Sequence, residues 1–173
     1  MSLSEKYSLP ELVNQANQLP YEYADGEGIE FEPYDAFLSA DETVHWFQAW
    51  TGNPNADASR FRVFGQEGTG GYAAFWTVRN TPDLLAQPIV FMGSEGETAI
   101  LARNFYDYLW LLAAGMGPCE ATSFPDAPRV AQPELEAFAL RNATPARTAA
   151  QVLQDARAEF PSFVQDIEAQ CRL

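Results

Sequence analysis

Histidine is almost absent from this chain: His45 is the only one among 173 residues. A histidine-based zinc site, a Ser-His-Asp triad or a Cys-His dyad could therefore be built only around that residue. His45 sits beside Trp46 in a helical pattern, and a structural or solvated imidazole is expected. Cysteine is nearly as scarce. Cys119 and Cys171 lie far apart without CxxC spacing, which reads as free, buried or incidental thiols, a structural disulfide being the lesser alternative. No metal or cofactor is expected at these three positions, and no catalytic residue stands out. No serine carries a GxSxG context.

Long apolar runs are missing too. None approaches the roughly 18–20 residues that span a bilayer. The opening MSLSEKYSLPELVNQ has neither a cationic start nor an apolar stretch, so no secretory signal is read and a cytoplasmic, membrane-free protein is expected. Basic residues are few, ten against twenty-four acids, for a net charge of −14. Nucleic acid binding through phosphates is thereby disfavoured.

What the chain does have is a core. Hydrophobic residues make up 47% and aromatics 13%, far above a disordered composition. A helix is read from Leu9 to Leu19, stopped by Pro20. Gly28-Ile-Glu-Phe-Glu-Pro33 alternates like a half-exposed strand, at an edge or strand end because of Pro33. Asp41 reads as the cap of a helix carrying Thr43, Trp46, Phe47 and Trp50, closed by Gly52 and Pro54.

The middle is β-rich. Arg60–Gly65 and Tyr72–Val78 flank the turn 66–71, and Pro88–Met92 and Thr98–Ala102 flank Gly93-Ser-Glu-Gly96, which predicts two hairpins. Asn104 then caps a helix with the stripe Phe105, Tyr108, Leu109 and Leu112, ending at Gly115. From Pro118 four prolines punctuate a loop, followed by weaker helices at 134–141, at 145–160 and from Pro161 on. The expected fold class is α+β: one strongly bent, largely antiparallel or mixed sheet with helices packed on it. Residues 1–117 would form the core and 118–173 a helical extension packed on it. One face of Tyr72–Val78 must meet helices; the other is either covered by the C-terminal helices or left as a binding surface.

Three chemical readings compete with structural ones. Gly68-Thr-Gly-Gly71 could cradle phosphate, but a strand follows it where a helix N-terminus is needed. Positive φ for a hairpin turn is the simpler use. Glu67, Glu95 and Glu97 flank the two hairpin turns and could converge as a glycosidase-like pair, giving a carboxylate-based hydrolase. In so acidic a chain, chance convergence explains as much. Finally, Glu22, Asp25, Glu27, Glu30, Glu32, Asp35, Asp41 and Glu42 crowd one segment without a Lys or Arg, interleaved with aromatics. They read either as a solvated face or as a contact surface for a basic partner, with aromatic anchors.

The order of these elements resembles a known family. Glu67-Gly-Thr-Gly-Gly-Tyr-Ala-Ala-Phe-Trp76, then Pro88-Ile-Val-Phe-Met-Gly-Ser-Glu-Gly96, then Asn104-Phe-Tyr-Asp-Tyr-Leu-Trp-Leu-Leu-Ala-Ala-Gly115 is similar to the core of the SUKH superfamily. That superfamily includes the fungal Smi/Knr cell-wall regulators and many bacterial proteins. The likeness runs from about Phe37 to Gly115; the segment before it and the helices from Pro118 lie outside.

The resemblance implies an α+β fold without catalytic residues. It also implies a non-enzymatic immunity protein that binds and neutralises a cognate toxin, often a nuclease or deaminase. A regulatory scaffold or adaptor like the fungal members is the alternative. A basic toxin domain would suit a chain of this charge. Under that reading Glu22, Tyr23, Asp25, Glu27, Glu30, Glu32, Glu67 and Tyr72 would share one partner-facing surface.

Overall fold

The computed structural model describes residues 6–171. Five strands form one antiparallel meander in sequence order: β1 Glu32–Pro33, β2 Phe61–Gln66, β3 Tyr72–Trp76, β4 Ile89–Met92 and β5 Thr98–Ala102. The helices are α1 Glu11–Asn17, α2 Ala40–Thr51, α3 Phe105–Ala113, α4 Pro118–Ser123, α5 Pro133–Asn142, α6 Ala149–Glu159 and α7 Phe163–Gln170. The fold is α+β, as expected, and every strand pairing is antiparallel.

Helices cover both faces of the sheet, which explains why β4 is buried along its whole length. Its alternate residues serve two cores. Ile89 and Phe91 join Ala73, Phe75, Phe105 and Leu109 on one face. Val90 and Met92 join Phe47, Ala74, Phe163 and Ile167 on the other. A strand buried on both faces loses the apolar–polar alternation of a half-exposed one. Bulges at Val63/Gly65 and Ile89/Val90 interrupt the ladders and sharpen the local twist. The first bulge turns Gly65 toward Phe31, whose ring occupies the space a Cβ would need.

Helix α3 is buried nearly all round because it lies between the sheet and α5. The stripe Phe105, Leu109 and Leu112 is at most 1% exposed, and Asn104 caps it through the Asp107 amide at 2.8 Å. The second face of β3 is not left open. Trp76 packs on Phe160 and Phe163, and Tyr72 on Trp46. The C-terminal helices thus supply side chains to both cores: Phe138 and Leu153 to one, Phe163 and Ile167 to the other.

Several expected boundaries shift for local reasons. Ser39, not Asp41, caps α2, because Ser39 and Glu42 form a reciprocal capping box. The strand expected over 28–33 shrinks to Glu32–Pro33. The amides of Gly28 and Ile29 turn back to Tyr23 and Glu22, and the Glu30 amide goes to Glu120. Strand β3 ends at Trp76, two residues early. Pro118 opens the short helix α4 where a loop was expected; proline fits a first helical position, whose N–H has no partner within the helix.

Candidate functional site

The acid-rich segment begins as a tight loop. The Tyr23 carbonyl accepts the amides of Gly26 and Gly28 at 3.0 and 2.9 Å, and the Glu22 carbonyl accepts that of Ile29 at 2.8 Å. Ala24 and Asp25 take positive φ values of 48° and 55°, a region that disfavours side chains other than those of Asn and Asp. Gly28 is required, since a Cβ there would overlap the Glu22 carbonyl. The loop directs Glu22, Tyr23, Asp25 and Glu27 into solvent while Ile29 and Phe31 anchor it in the core.

Beyond the loop, the segment meets the β2–β3 turn. Tyr21, Tyr23, Glu30, Glu32 and Gly68 line a shallow cavity of about 260 Å³. Glu32, Gln66 and Tyr72 then lie side by side on β1, β2 and β3. Gln66 joins them, donating to Glu32 at 2.9 Å and accepting from the Tyr34 hydroxyl at 2.6 Å. Burial, then the neighbouring Tyr72 and the acids Glu32 and Glu42, push the Tyr34 hydroxyl well above the ordinary phenol range.

The eight sequence-selected residues therefore divide. Glu22, Tyr23, Asp25 and Glu27 share one exposed loop. Glu30 and Glu32 line the adjoining cavity with Tyr23. Tyr72 is half-buried, its ring centroid 4.6 Å from that of Trp46. Glu67 is 4% exposed and turned into its own hairpin. It accepts the amides of Thr69 and Gly71 at 2.9 and 2.8 Å, and the Thr69 hydroxyl as well.

The two hairpin turns do meet, with Thr69 and Ser94 hydroxyls 2.8 Å apart. Glu67 and Glu97, however, serve the turns, and Glu95 is exposed. Glu97 accepts the Glu95 amide at 3.0 Å, and Gly70 supplies the positive φ of the β2–β3 turn.

Two features escaped the sequence. The first is Arg129, whose guanidinium donates to the carbonyls of Gly26 and Gly28, both at 3.1 Å. It fastens the loop 124–132 to the acid loop across about a hundred residues of chain. The second is the meeting of Glu30, Cys119 and Glu120, whose donor atoms lie within 4.8 Å of one another. A thiolate and two carboxylates could hold a zinc-like ion. Here both Glu120 oxygens already accept backbone amides, from Gly117 at 3.0 Å and Glu30 at 3.3 Å. Burial, reinforced by Glu120, Glu67, Glu30 and Glu97, pushes the Cys119 thiol up to about 12. Of these acids Glu120 is the thiol's neighbour in sequence, and Glu30 also lines the cavity. His45 is exposed on α2, and Cys171 is a free thiol at the end of α7.

No helix among the described residues is long and apolar enough to cross a membrane. Comparison with known protein families, with curated proteins and with solved structures finds no match to this chain.

Proposed function

We propose that this chain is a non-enzymatic binding protein of the cytoplasm, of the immunity type, that captures and neutralises a basic toxin domain. One observation carries the reading. Glu22, Asp25 and Glu27 stand exposed around Tyr23, itself 57% exposed, on a loop whose shape is fixed by Gly28 and Arg129. An ordered loop loses little freedom on binding, and its uncompensated acids raise the rate of encounter with a basic surface. A toxin that acts on nucleic acid needs such a surface.

The carboxylate-hydrolase reading has less support. General acid–base catalysis needs a carboxylate free to reach substrate, whereas Glu67 is occupied by three donors of its own turn.

The test is to titrate this protein into the toxin domain encoded beside its gene and follow the toxin's activity. Stoichiometric inhibition at one to one supports the reading. Binding without inhibition would favour an adaptor, and no binding to any adjacent gene product would overturn it.

A further inference from the structure

Six large apolar side chains are exposed among the described residues, and three of them stand on the two loops that Arg129 joins. Tyr23 is 57% exposed on the first loop; Phe124 and Val130 are 56% and 74% exposed on the second. Exposed apolar groups carried on two loops that one side chain ties together, with acids on both loops, are candidates for a docking surface.

The second loop has contacts of its own that hold it in place. Gly115, at a φ of 84°, lies against the Val130 carbonyl with no room for a Cβ. The Gln132 amide bonds to the Ala113 carbonyl at 3.3 Å, and the Ala127 amide to that of Phe124 at 3.2 Å. Around these apolar groups the exposed charges are acids: Glu22, Asp25, Glu27 and Asp126. The one base present, Arg129, is committed to the two glycine carbonyls.

We propose that these loops form a single two-jawed docking surface for a cationic protein segment with an apolar side chain between its basic residues. This deepens the reading above by naming the second half of the surface and the chemistry of what it takes, and it rests on that reading. The apolar residue of the partner sits among Tyr23, Phe124 and Val130, while its guanidinium or ammonium groups meet the surrounding carboxylates. A second copy of this chain is a poor occupant, because it would bring two acidic surfaces together.

Arg129 gives the proposal a test whose sign separates it from plain charge attraction. R129Q removes a positive charge from an acidic surface, so attraction alone predicts tighter binding of a cation. A two-jawed surface predicts the reverse, because the bridge that sets the two loops against each other is lost.

The probe is a synthetic peptide alternating arginine and leucine, titrated into isotope-labelled full-length protein; an arginine–glycine peptide of equal charge is the control. The expected result is that the arginine–leucine peptide shifts the amides of residues 22–28 and 124–131 together. R129Q and V130S should each weaken its binding, V130S by about tenfold, the scale of losing one anchor. V130S alters an exposed side chain, so it reads the surface even if R129Q disturbs the fold.

Shifts confined to residues 22–32, or binding unchanged in V130S and strengthened in R129Q, would overturn the proposal. So would equal binding of the two peptides, or self-association of the wild type that V130S abolishes. The toxin titration stays separate. If V130S protects against the toxin as well as the wild type does, only the second jaw fails; if the wild type binds no toxin, the immunity reading fails.

Discussion

Glu67 and Gly71 are joined twice: the Glu67 amide donates to the Gly71 carbonyl at 2.9 Å, and the Gly71 amide returns to Glu67 Oε1 at 2.8 Å. The β2–β3 turn is therefore closed by a backbone pair and by a buried carboxylate inside it. Removing the carboxylate leaves the buried Gly71 amide without an acceptor, and a buried unpaired donor costs about 1–3 kcal/mol.

Glu67→Ala should accordingly lower stability by about that amount, seen in urea unfolding, while Glu67→Gln, which keeps one oxygen, should cost less. Partner binding should be unaffected once the protein is folded. A glutamine variant of full stability and altered binding would return Glu67 to the contact surface.

That residue illustrates what could be read from the sequence. Local signals were legible where they act within a few residues. Thr98–Ala102 is a strand to the residue, and Asn104 caps α3. The acid loop was visible as composition. Glu67 was not, because a turn glutamate looks exposed until its bonds to Thr69 and Gly71 are seen; a Thr two residues on was the available hint. Arg129 left no local trace, since its partners Gly26 and Gly28 lie about a hundred residues upstream. The same holds for the meeting of Cys119 with Glu30.

The C-terminal helices should prove integral to the fold. Phe163 is 1% exposed, with its ring centroid 4.8 Å from that of Trp76 on β3. Phe163→Ala should cost about 3–5 kcal/mol, the usual range for a deleted buried aromatic. Unfolding followed by tryptophan fluorescence and by far-UV circular dichroism should give one coincident transition. Two separated transitions would show that α7 is only loosely attached.

Acid should weaken the ion pairs that hold the exposed side of α6. A hydrogen bond from Arg147, aided by Arg103, holds the Asp155 carboxyl below its usual 3.8, and Arg79 and Arg103 hold that of Glu159 below its usual 4.5. Both carboxyls are lowered in the folded state, so their stabilisation is complete above the usual values. It is lost as pH falls below them, through the folded-state values. Glu120 acts in the opposite sense: burial raises it, so protonation relieves a penalty at higher pH. A D155N/E159Q variant should thus melt below the wild type at pH 6, with the gap closing as pH falls below about 4. A gap of constant size across that range would show that these ion pairs contribute nothing.

The last prediction separates steering charge from solubilising charge. Glu22, Asp25, Glu27 and Glu32 are exposed, and none forms a salt bridge among the described residues. In isolation they repel one another, so replacing all four with amides should leave the melting temperature unchanged or slightly raise it. Toward a basic toxin domain the effect should be kinetic. Charges that steer encounter act over the Debye length, about 8 Å at physiological ionic strength. Their loss should slow association by about tenfold or more at low salt. Dissociation should change less, because it is governed by close contacts such as those of Tyr23. The slope of the association rate against salt should flatten for the same reason. Tyr23→Ser should do the opposite, speeding dissociation while leaving the salt slope in place. If the amide variant bound with unaltered association rate and salt slope, the four acids would be solvated charge, and the partner surface would have to lie elsewhere on the molecule.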